Sequence, residues 1–290
     1  MLEAYEGVGM VITVLTTFHK EGLDKYGQRF LDSFAERVDP RIKLIVYAED
    51  CTPNNPNDEQ IQIVDAKQAL TKLNAFKARW GNVDKANGIP PDNIKARRPR
   101  DWHKKFKWDA IRFANKTYAV FDACANHKDW VVWMDADTFV HSAISYEQFE
   151  NLLPNNKWIT YVGRGKGSQT WPECGFYGLN VKNETCKKFL NEFQRMYDEA
   201  EQGIFTLAEW HDSFVFGHVL EKIKIQDSNF YDYSSNIYNK TAKTGGGGHP
   251  LINSELGNYF DHMKGARKTL GKSKRSDLIN ERGEKYWNEI

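Results

Sequence analysis

The chain has 290 residues, of which 40% are hydrophobic and 27% charged, and its net charge is +1. This composition is typical of a globular protein, and the near-neutral charge excludes a molecule whose overall field attracts nucleic acid or anionic membrane. The four Cys residues form no CxxC pair, so the sequence carries no zinc or redox motif. No signal peptide precedes Val11 and no apolar run approaches the roughly 20 residues of a membrane span, so we expect a cytoplasmic protein.

The N-terminal part of the chain predicts a parallel α/β unit. A β-branched, almost continuously apolar strand is predicted over residues 11–18. A helix follows, with apolar residues at every fourth position from Tyr26 to Val38. Further buried strands are predicted over residues 42–50 and 61–66. This alternation favours a mostly parallel sheet flanked by helices.

The remaining elements extend the same pattern. Residues 78–100 are rich in Gly and Pro and predict a loop, whereas residues 102–125 predict a long helix. Strands are predicted over residues 130–140, 158–163 and 173–180, and helices over residues 184–201 and from Asp212 onward. Regular structure becomes sparse after Ile225. We expect one α/β domain over residues 1–290, in which residues 245–290, beginning with the Gly245–Gly248 run, form a flexible C-terminal segment at the ligand site.

Two carboxylates follow the apolar stretch from Trp130 to Met134. Asp135 and Asp137 are two positions apart, and in extended backbone such residues point to the same side. They also end a predicted central strand, where open α/β sheets bind ligands. Hard oxygen ligands suit magnesium or manganese, which commonly share their coordination with substrate phosphates. The alternative is that the pair only caps a turn.

This Asp-x-Asp arrangement after an aromatic-rich strand resembles the GT-A glycosyltransferases. The resemblance implies a Rossmann-like GT-A fold, a divalent metal held by Asp135 and Asp137, and a nucleotide-sugar donor whose diphosphate contacts the metal. It also implies an enzyme that transfers a sugar, most simply a hexose from a UDP-sugar, to a glycan, protein or nucleic-acid acceptor.

A second motif lies near the C-terminus. His262, Gly265 and Lys268 are similar to the HxxGxxK motif of retaining, glycogenin-like GT-A enzymes, with Arg267 as an added cation. The resemblance implies that His262 completes the metal coordination and that Gly265, Arg267 and Lys268 approach the diphosphate. Imidazole is a good ligand for manganese, and the cations would offset the charge of a leaving group.

The donor nucleotide is expected at the ends of the first two strands. By the same resemblance, Thr16 and Phe18 line a uridine pocket and Tyr47 stacks on the base. Arg112 and Lys116, on the helix before the Asp-x-Asp strand, are expected to contact the donor. An equally supported interpretation is that Arg112 and Lys116 lie on a solvated helix face with Asp109.

Acidic groups near the transferred sugar are expected in two places. Glu173 begins a strand that resembles the GT-A segment beneath that sugar. Residues 209–213, Glu-Trp-His-Asp-Ser, resemble the Trp-His-Asp-Glu motif of the blood-group and α-galactosyl transferases. Ser213 replaces the acidic residue proposed as nucleophile there, so Asp212, with His211 beside it, is the expected catalytic group. Asp212 is also a favourable helix N-cap.

Two other functions stay open at this point. A nucleotidyltransferase or related metal–phosphate enzyme would share the carboxylates and basic residues, although it usually needs a Gly-rich basic loop after the first strand. A nucleic-acid-binding protein would explain the basic run 95–107, which has seven Lys or Arg and one Asp, but not the carboxylates after a buried strand. A transferase that acts on DNA would combine both features.

Overall fold

In the computed structural model, which describes residues 9–164, 171–238 and 249–290, a seven-stranded sheet runs through the centre of the molecule. Its strands are apolar and mostly buried, as expected for a sheet covered on both faces. In spatial order they are β3 (Ile61–Asp65), β2 (Lys43–Ala48), β1 (Ile12–Phe18), β4 (Trp130–Met134), β7 (Glu173–Asn180), β6 (Ile159–Val162) and β8 (Phe230–Asp232).

Most neighbours in this sheet are parallel. The β3–β2, β2–β1, β1–β4 and β6–β8 pairs are parallel, whereas β7 is antiparallel to both β4 and β6. The predicted α/β class with a mostly parallel central sheet is therefore confirmed. After β1 the chain builds outward through β2 and β3 and then returns to the other side of β1 with β4. This reversal of strand order creates a crevice at the carboxyl ends of β1 and β4, where such sheets bind ligands.

Helices cover both faces of the sheet. One hydrophobic cluster includes Phe76, Tyr118 and Phe193, and the other, on the opposite face, includes Phe30 and Trp287. The helices are α1 (Lys20–Gly22), α2 (Gln28–Arg37), α3 (Ala66–Ala69), α4 (Thr71–Trp80), α5 (Asp92–Arg97), α6 (Ala110–Asn126), α7 (Tyr146–Asn151), α8 (Glu184–Asp198), α9 (Asp212–Lys224), α10 (Ser235–Tyr238), α11 (Pro250–Asn253), α12 (Arg267–Leu270) and α13 (Lys285–Asn288).

A small second ribbon joins the C-terminal part of the chain to the centre. β5 (Thr138–Val140) pairs antiparallel with β9 (Phe260–His262), and Thr138 lies opposite His262. The backbone N–H of Met263 donates to the carbonyl of Asp137 at 2.9 Å. This pairing brings His262 next to Asp137, although more than a hundred residues separate them in sequence.

Two predictions for residues 78–125 are wrong. The predicted loop over residues 78–100 contains the end of helix α4 and the whole of α5. The predicted helix over residues 102–125 begins only at Ala110, because the Asp109 side chain accepts from the N–H of Arg112 and caps the helix there. Phe106, which falls within the predicted helix, precedes the observed one and is 46% exposed.

The C-terminal segment is only partly described. The Gly245–Gly248 run, predicted to be flexible, lies outside the described residues. Residues 249–290 form short helices and strand β9. Within the described ranges, the chain has no helix with the length and hydropathy needed to cross a membrane.

Candidate active site

A large cleft opens at the carboxyl ends of the central strands. Its volume is about 1040 Å³, and it runs along the switch point between β1 and β4. The side chains that line it come from distant parts of the chain, including Thr17 near the end of β1, Asp135 and Asp137 after β4, Glu173 on β7, and Asp212 on α9. Such a crevice is the expected ligand site of an open α/β sheet.

Three potential metal ligands converge at the floor of this cleft. Nε2 of His262 lies 3.1 Å from Oδ1 of Asp137 and 3.4 Å from Oδ2 of Asp135. One ligand atom from each of these residues lies within 4.8 Å of the other two. Asp137 and His262 are buried and Asp135 is half-buried, so the cluster faces the cleft from one side.

Gly175 makes room for the imidazole of His262. The N–H of Asp135 donates to the carbonyl of Gly175 at 2.9 Å, so this glycine lies beside the carboxylates. A Cβ atom at position 175 would approach Cε1 of His262 to 2.5 Å. Only glycine therefore allows the imidazole to occupy its present position beside both aspartates.

Glu173 lies behind the His262 ring. One carboxylate oxygen is 3.6 Å from Nδ1 of His262, and the other contacts Arg164 at 3.1 Å and also Lys264. Burial would raise the pKa of Glu173, but Lys264, His262 and Arg164 lower it to about 2. An ionised carboxylate beside Nδ1 favours a proton on that nitrogen, while Nε2 is directed to Asp135 and Asp137. Glu173, predicted as a catalytic group, thus lies where it can orient the imidazole of His262.

The donor set fits a divalent cation. Two carboxylates and an imidazole nitrogen are suitable ligands for manganese or magnesium. Burial alone would lower the pKa of His262, but the carboxylates of Asp137, Asp135 and Glu173 raise it to about 10. A metal bound by this nitrogen would replace its proton, since a ligand histidine is neutral. The concentration of negative charge around His262 is thus of the kind that a cation would neutralise.

Lys116 connects the aspartate cluster to Asp212. Its Nζ is 3.0 Å from Oδ1 of Asp135 and 2.8 Å from Oδ2 of Asp212, and it also donates to the carbonyl of Cys174. Burial would lower the pKa of Lys116, but Asp135 and Asp212 raise it well above its usual value. The structure therefore places Lys116 in the cleft and not on a solvated face. Trp133 donates from Nε1 to Asp135 at 2.7 Å and fixes the same carboxylate.

The two cations of the C-terminal motif have different surroundings. Nζ of Lys268 is 2.7 Å from Oδ2 of Asp137 and lines the cleft. Arg267 instead pairs with Asp277, whose two oxygens it contacts with Nε and a terminal nitrogen. Arg267 and Gly265 are not among the described residues that line the cleft. Gly265 has φ of +58° and turns the chain between His262 and Lys268.

Two residues predicted to bind the nucleotide, Thr16 and Tyr47, do not line the cleft. Tyr47 is only 3% exposed, is packed in the hydrophobic core, and donates its hydroxyl to Asp122 at 2.6 Å. Thr16 is likewise buried, and neither residue is among the described side chains lining the cleft. Their neighbours Thr17 and Glu49 line it instead, joined by a 3.0 Å hydrogen bond.

Other predicted donor contacts do lie at the cleft. Phe18 borders it but is almost completely buried, and helix α6 brings Arg112 to the same wall. Tyr26 also lines this end, and its ring lies 5.0 Å from Nζ of Lys268. Glu49, Tyr26 and Thr17 were missed as site residues, because tertiary packing decides which side chains near a strand end or on the following helix border a cleft.

Asp212 and His211 lie farther along the cleft. Asp212 is buried and begins α9, but the N-cap is His211, whose side chain makes no capping hydrogen bond. The carboxylate of Asp212 is therefore directed to Lys116 and is not occupied in capping. His211 contacts Glu209 at 3.1 Å through Nε2, and three cleft-lining aromatic rings lie about it at 5.9–6.0 Å, those of Phe106, Phe113 and Trp171.

Fold and site together define an α/β protein with an acidic cluster suited to a divalent cation at its topological switch point. No protein-family model and no curated protein matches the chain. Solved structures of three glycosyltransferases are similar in fold. The chain matches the bifunctional glycosyltransferase WbbM at 13% identity and a TM-score of 0.45, covering 81% of this chain and 40% of that one.

Two further solved structures match with similar scores. Mouse xyloside xylosyltransferase 1 is 12% identical with a TM-score of 0.42, covering 76% of this chain and 84% of that protein. The glycosyltransferase GlyE of Streptococcus pneumoniae TIGR4 is 8% identical with a TM-score of 0.41, covering 81% of this chain and 50% of that one. The chain thus spans half or less of the length of WbbM and GlyE. At these values the similarity identifies neither substrate nor mechanism.

Proposed function

We propose that this chain is a metal-dependent glycosyltransferase that transfers a hexose from a UDP-sugar to an acceptor, with retention of the anomeric configuration. The convergence of Asp135, Asp137 and His262 in the cleft carries this proposal. Carboxylate and imidazole ligands beside two lysines suit a metal–diphosphate complex better than a free metal or a free phosphate.

The residues of the cluster have separable tasks in this function. Asp135, Asp137 and His262 would hold manganese or magnesium, which would offset the charge that develops on the departing diphosphate. Lys268, now paired with Asp137, lies where it would contact the same diphosphate. Glu173 and Gly175 keep the His262 ring in place.

Asp212 is the acidic group best placed for the sugar. It lies on the cleft floor, joined to Asp135 through Lys116. During transfer the bond from the anomeric carbon to the diphosphate oxygen breaks, and a bond to the acceptor oxygen forms on the same face. The acceptor proton passes to the leaving phosphate oxygen. Asp212 then orients the acceptor or stabilises positive charge on the sugar ring.

A screen of nucleotide sugars for metal-dependent hydrolysis tests this function without knowledge of the acceptor. We expect at least one UDP-sugar to release UDP and free sugar with manganese, and no release with a chelator. Release of pyrophosphate from a nucleotide triphosphate and a sugar phosphate would instead identify a nucleotidyltransferase. Turnover of no nucleotide sugar, together with no metal-dependent UDP binding, would contradict the proposal.

A further inference from the structure

The outer end of the cleft carries a dense group of cations that the proposed metal chemistry does not use. We define the basic rim as residues 97–107, which contain six Lys or Arg and one Asp. Arg98, Lys104, Phe106 and Lys107 line the cleft, so the rim is continuous with the site. The rest of the rim continues outward onto the exposed surface.

The cations of the rim differ in how they are compensated. Lys104 and Lys107 pair with Asp101 at 2.7 and 3.1 Å, and Lys107 also pairs with the buried Glu209 at 3.0 Å. Arg98 lies 3.8 Å from the same Glu209. Three exposed cations, by contrast, form no ion pair with any residue in the described part of the chain: Arg97, Arg100 and Lys105.

Two aromatic side chains are exposed among these cations. Trp102 is 47% and Phe106 46% exposed, although large aromatic rings are usually covered in a folded protein. Trp102 lies between Arg100 and His103 in sequence, and Phe106 follows Lys105. Cations interleaved with flat apolar rings are the arrangement that binds single-stranded nucleic acid, where phosphates contact the cations and bases stack on the rings.

The extent of the rim distinguishes its ligand from a single phosphate group. The two cleft-lining cations Arg98 and Lys104 would be enough to contact a single phosphate group. Arg97, Arg100 and Lys105 are exposed, have no ion pair in the described part of the chain and lie beyond the residues that line the cleft, so together they suit a ligand with repeated negative charge. The exposed rings additionally suit a ligand with flat faces on which they can stack, which inorganic polyphosphate lacks.

We propose that the basic rim binds a single-stranded nucleic acid as the acceptor of the transferase, an assignment that rests on the proposed function. A nucleotide held on the rim can enter the cleft past Phe106 and the rings around His211, toward Asp212. A single strand is required because a base or sugar must leave a duplex stack to reach the floor of a cleft. A free hydroxyl of the strand, such as the 3′-terminal hydroxyl, then forms the bond to the anomeric carbon, its proton passes to the leaving phosphate oxygen, and UDP leaves.

Binding of a fluorescein-labelled single-stranded oligodeoxynucleotide, followed by anisotropy over a salt series, tests the assignment on the full chain. The variant Arg97→Gln/Arg100→Gln/Lys105→Gln should weaken binding and reduce the slope of log K against log salt by about 2, since each phosphate contact on a single strand contributes about 0.7. A matched control, Lys67→Gln/Lys128→Gln/Lys188→Gln, removes the same charge from exposed positions outside the cleft lining and should bind like wild type.

Substitutions of Trp102 distinguish the contribution of base stacking to oligonucleotide binding from the contribution of charge. Trp102→Ala should weaken oligonucleotide binding by about 5–150-fold with an unchanged salt slope, whereas Trp102→Phe, which keeps an aromatic face, should largely retain it. Inorganic polyphosphate should compete poorly with the oligonucleotide, because it has no bases that can stack on the exposed rings. No oligonucleotide binding by wild type, an equal loss in the control triple variant, or full competition by polyphosphate with no effect of Trp102→Ala would overturn the assignment.

UDP binding with manganese is measured on the same proteins, so that failure of the proposed function is recognised separately. The rim variants should bind UDP like wild type, because they leave the metal cluster untouched. If wild type binds the oligonucleotide but shows no metal-dependent UDP binding, the proposed function fails, and with it the role of the rim as an acceptor site.

Discussion

The two ends of the cleft differ in whether their charged side chains are buried and paired with an opposite charge. We call the inner end, with the candidate metal ligands Asp135, Asp137 and His262, the metal end. There Asp135, Asp137 and Glu173 are each paired with His262 or a lysine, and these carboxylates are buried or half-buried. At the basic rim, several cations are exposed and have no acidic partner in the described part of the chain.

This difference predicts how substitutions behave at each end. Exposed charges are screened by salt, whereas buried pairs are screened much less. Removing one partner of a buried pair also leaves the other uncompensated. Changes at the metal end should therefore alter metal and UDP binding almost independently of salt, while changes at the rim should alter salt-sensitive binding and leave the fold and UDP affinity intact.

The largest effect is expected for Asp137→Ala. We expect metal-dependent turnover of a UDP-sugar to fall by more than about 100-fold, because even residues that only support a metal ligand typically contribute 10–100-fold to metal affinity or activity. Asp261→Asn is the matched control: Asp261 is buried next to His262 but bonds to Ser273 and Tyr286. This control should lower the melting temperature and keep the metal dependence. Equal metal dependence in wild type and Asp137→Ala would remove Asp137 from the site.

Asp212→Asn should have the next largest effect. It removes the charge paired with Lys116 while conserving shape, so we expect a decrease in kcat of about 100-fold with little change in UDP affinity. Steady-state kinetics and calorimetry on the same preparation separate the two quantities. A variant with a lower melting temperature but normal specific activity would reduce Asp212 to a structural role.

Lys268 and Arg267 provide a comparison between adjacent cations. Lys268→Ala should weaken UDP binding with manganese by about tenfold or more, since a hydrogen bond to a charged group contributes about 1.5–3 kcal/mol. Arg267→Ala should instead lower thermal stability and leave UDP affinity unchanged, because Arg267 pairs with Asp277. The reverse result would show that the C-terminal segment rearranges when the ligand binds.

Gly175→Ala should have a smaller effect, of about tenfold, on manganese affinity, because the added Cβ displaces the His262 ring. Gly178→Ala, on the same strand, is the control: its Cβ would approach Leu153 and Thr160, away from the cleft. Both variants should be less stable, and only the first should bind manganese more weakly. Equal manganese affinity in the two would show that the ring position is unimportant.

The strands were predictable because they carry strong local signals. Residues 173–180 were predicted as a strand with the observed bounds, and β1, β2 and β3 differ from prediction by only a few residues. Continuous apolar runs identify buried strands without knowledge of the partners. Helix α4 was missed although Leu73, Phe76 and Trp80 recur at helical spacing, because the Gly and Pro residues that follow it favoured the prediction of a loop.

The site was only partly predictable for a related reason. Asp135, Asp137 and His262 belong to recognisable motifs, and their proximity follows from the β5–β9 pairing. The contact between Glu173 and Lys264, and the bridge of Lys116 between Asp135 and Asp212, depend on long-range packing that no local pattern encodes. Thr16 and Tyr47 were predicted to lie at the cleft but are buried outside it, because the exposure of a side chain near a strand end depends on the elements packed against it.

The central claim is that a divalent metal at Asp135, Asp137 and His262 holds a UDP-sugar by its diphosphate. Calorimetric titration of wild type with UDP, in manganese and then in excess chelator, tests this claim most directly. We predict that manganese tightens UDP binding by about 5–150-fold, the usual range for coupled ligands, and that high salt reduces this difference only slightly. The same UDP affinity in manganese and in chelator would contradict the account.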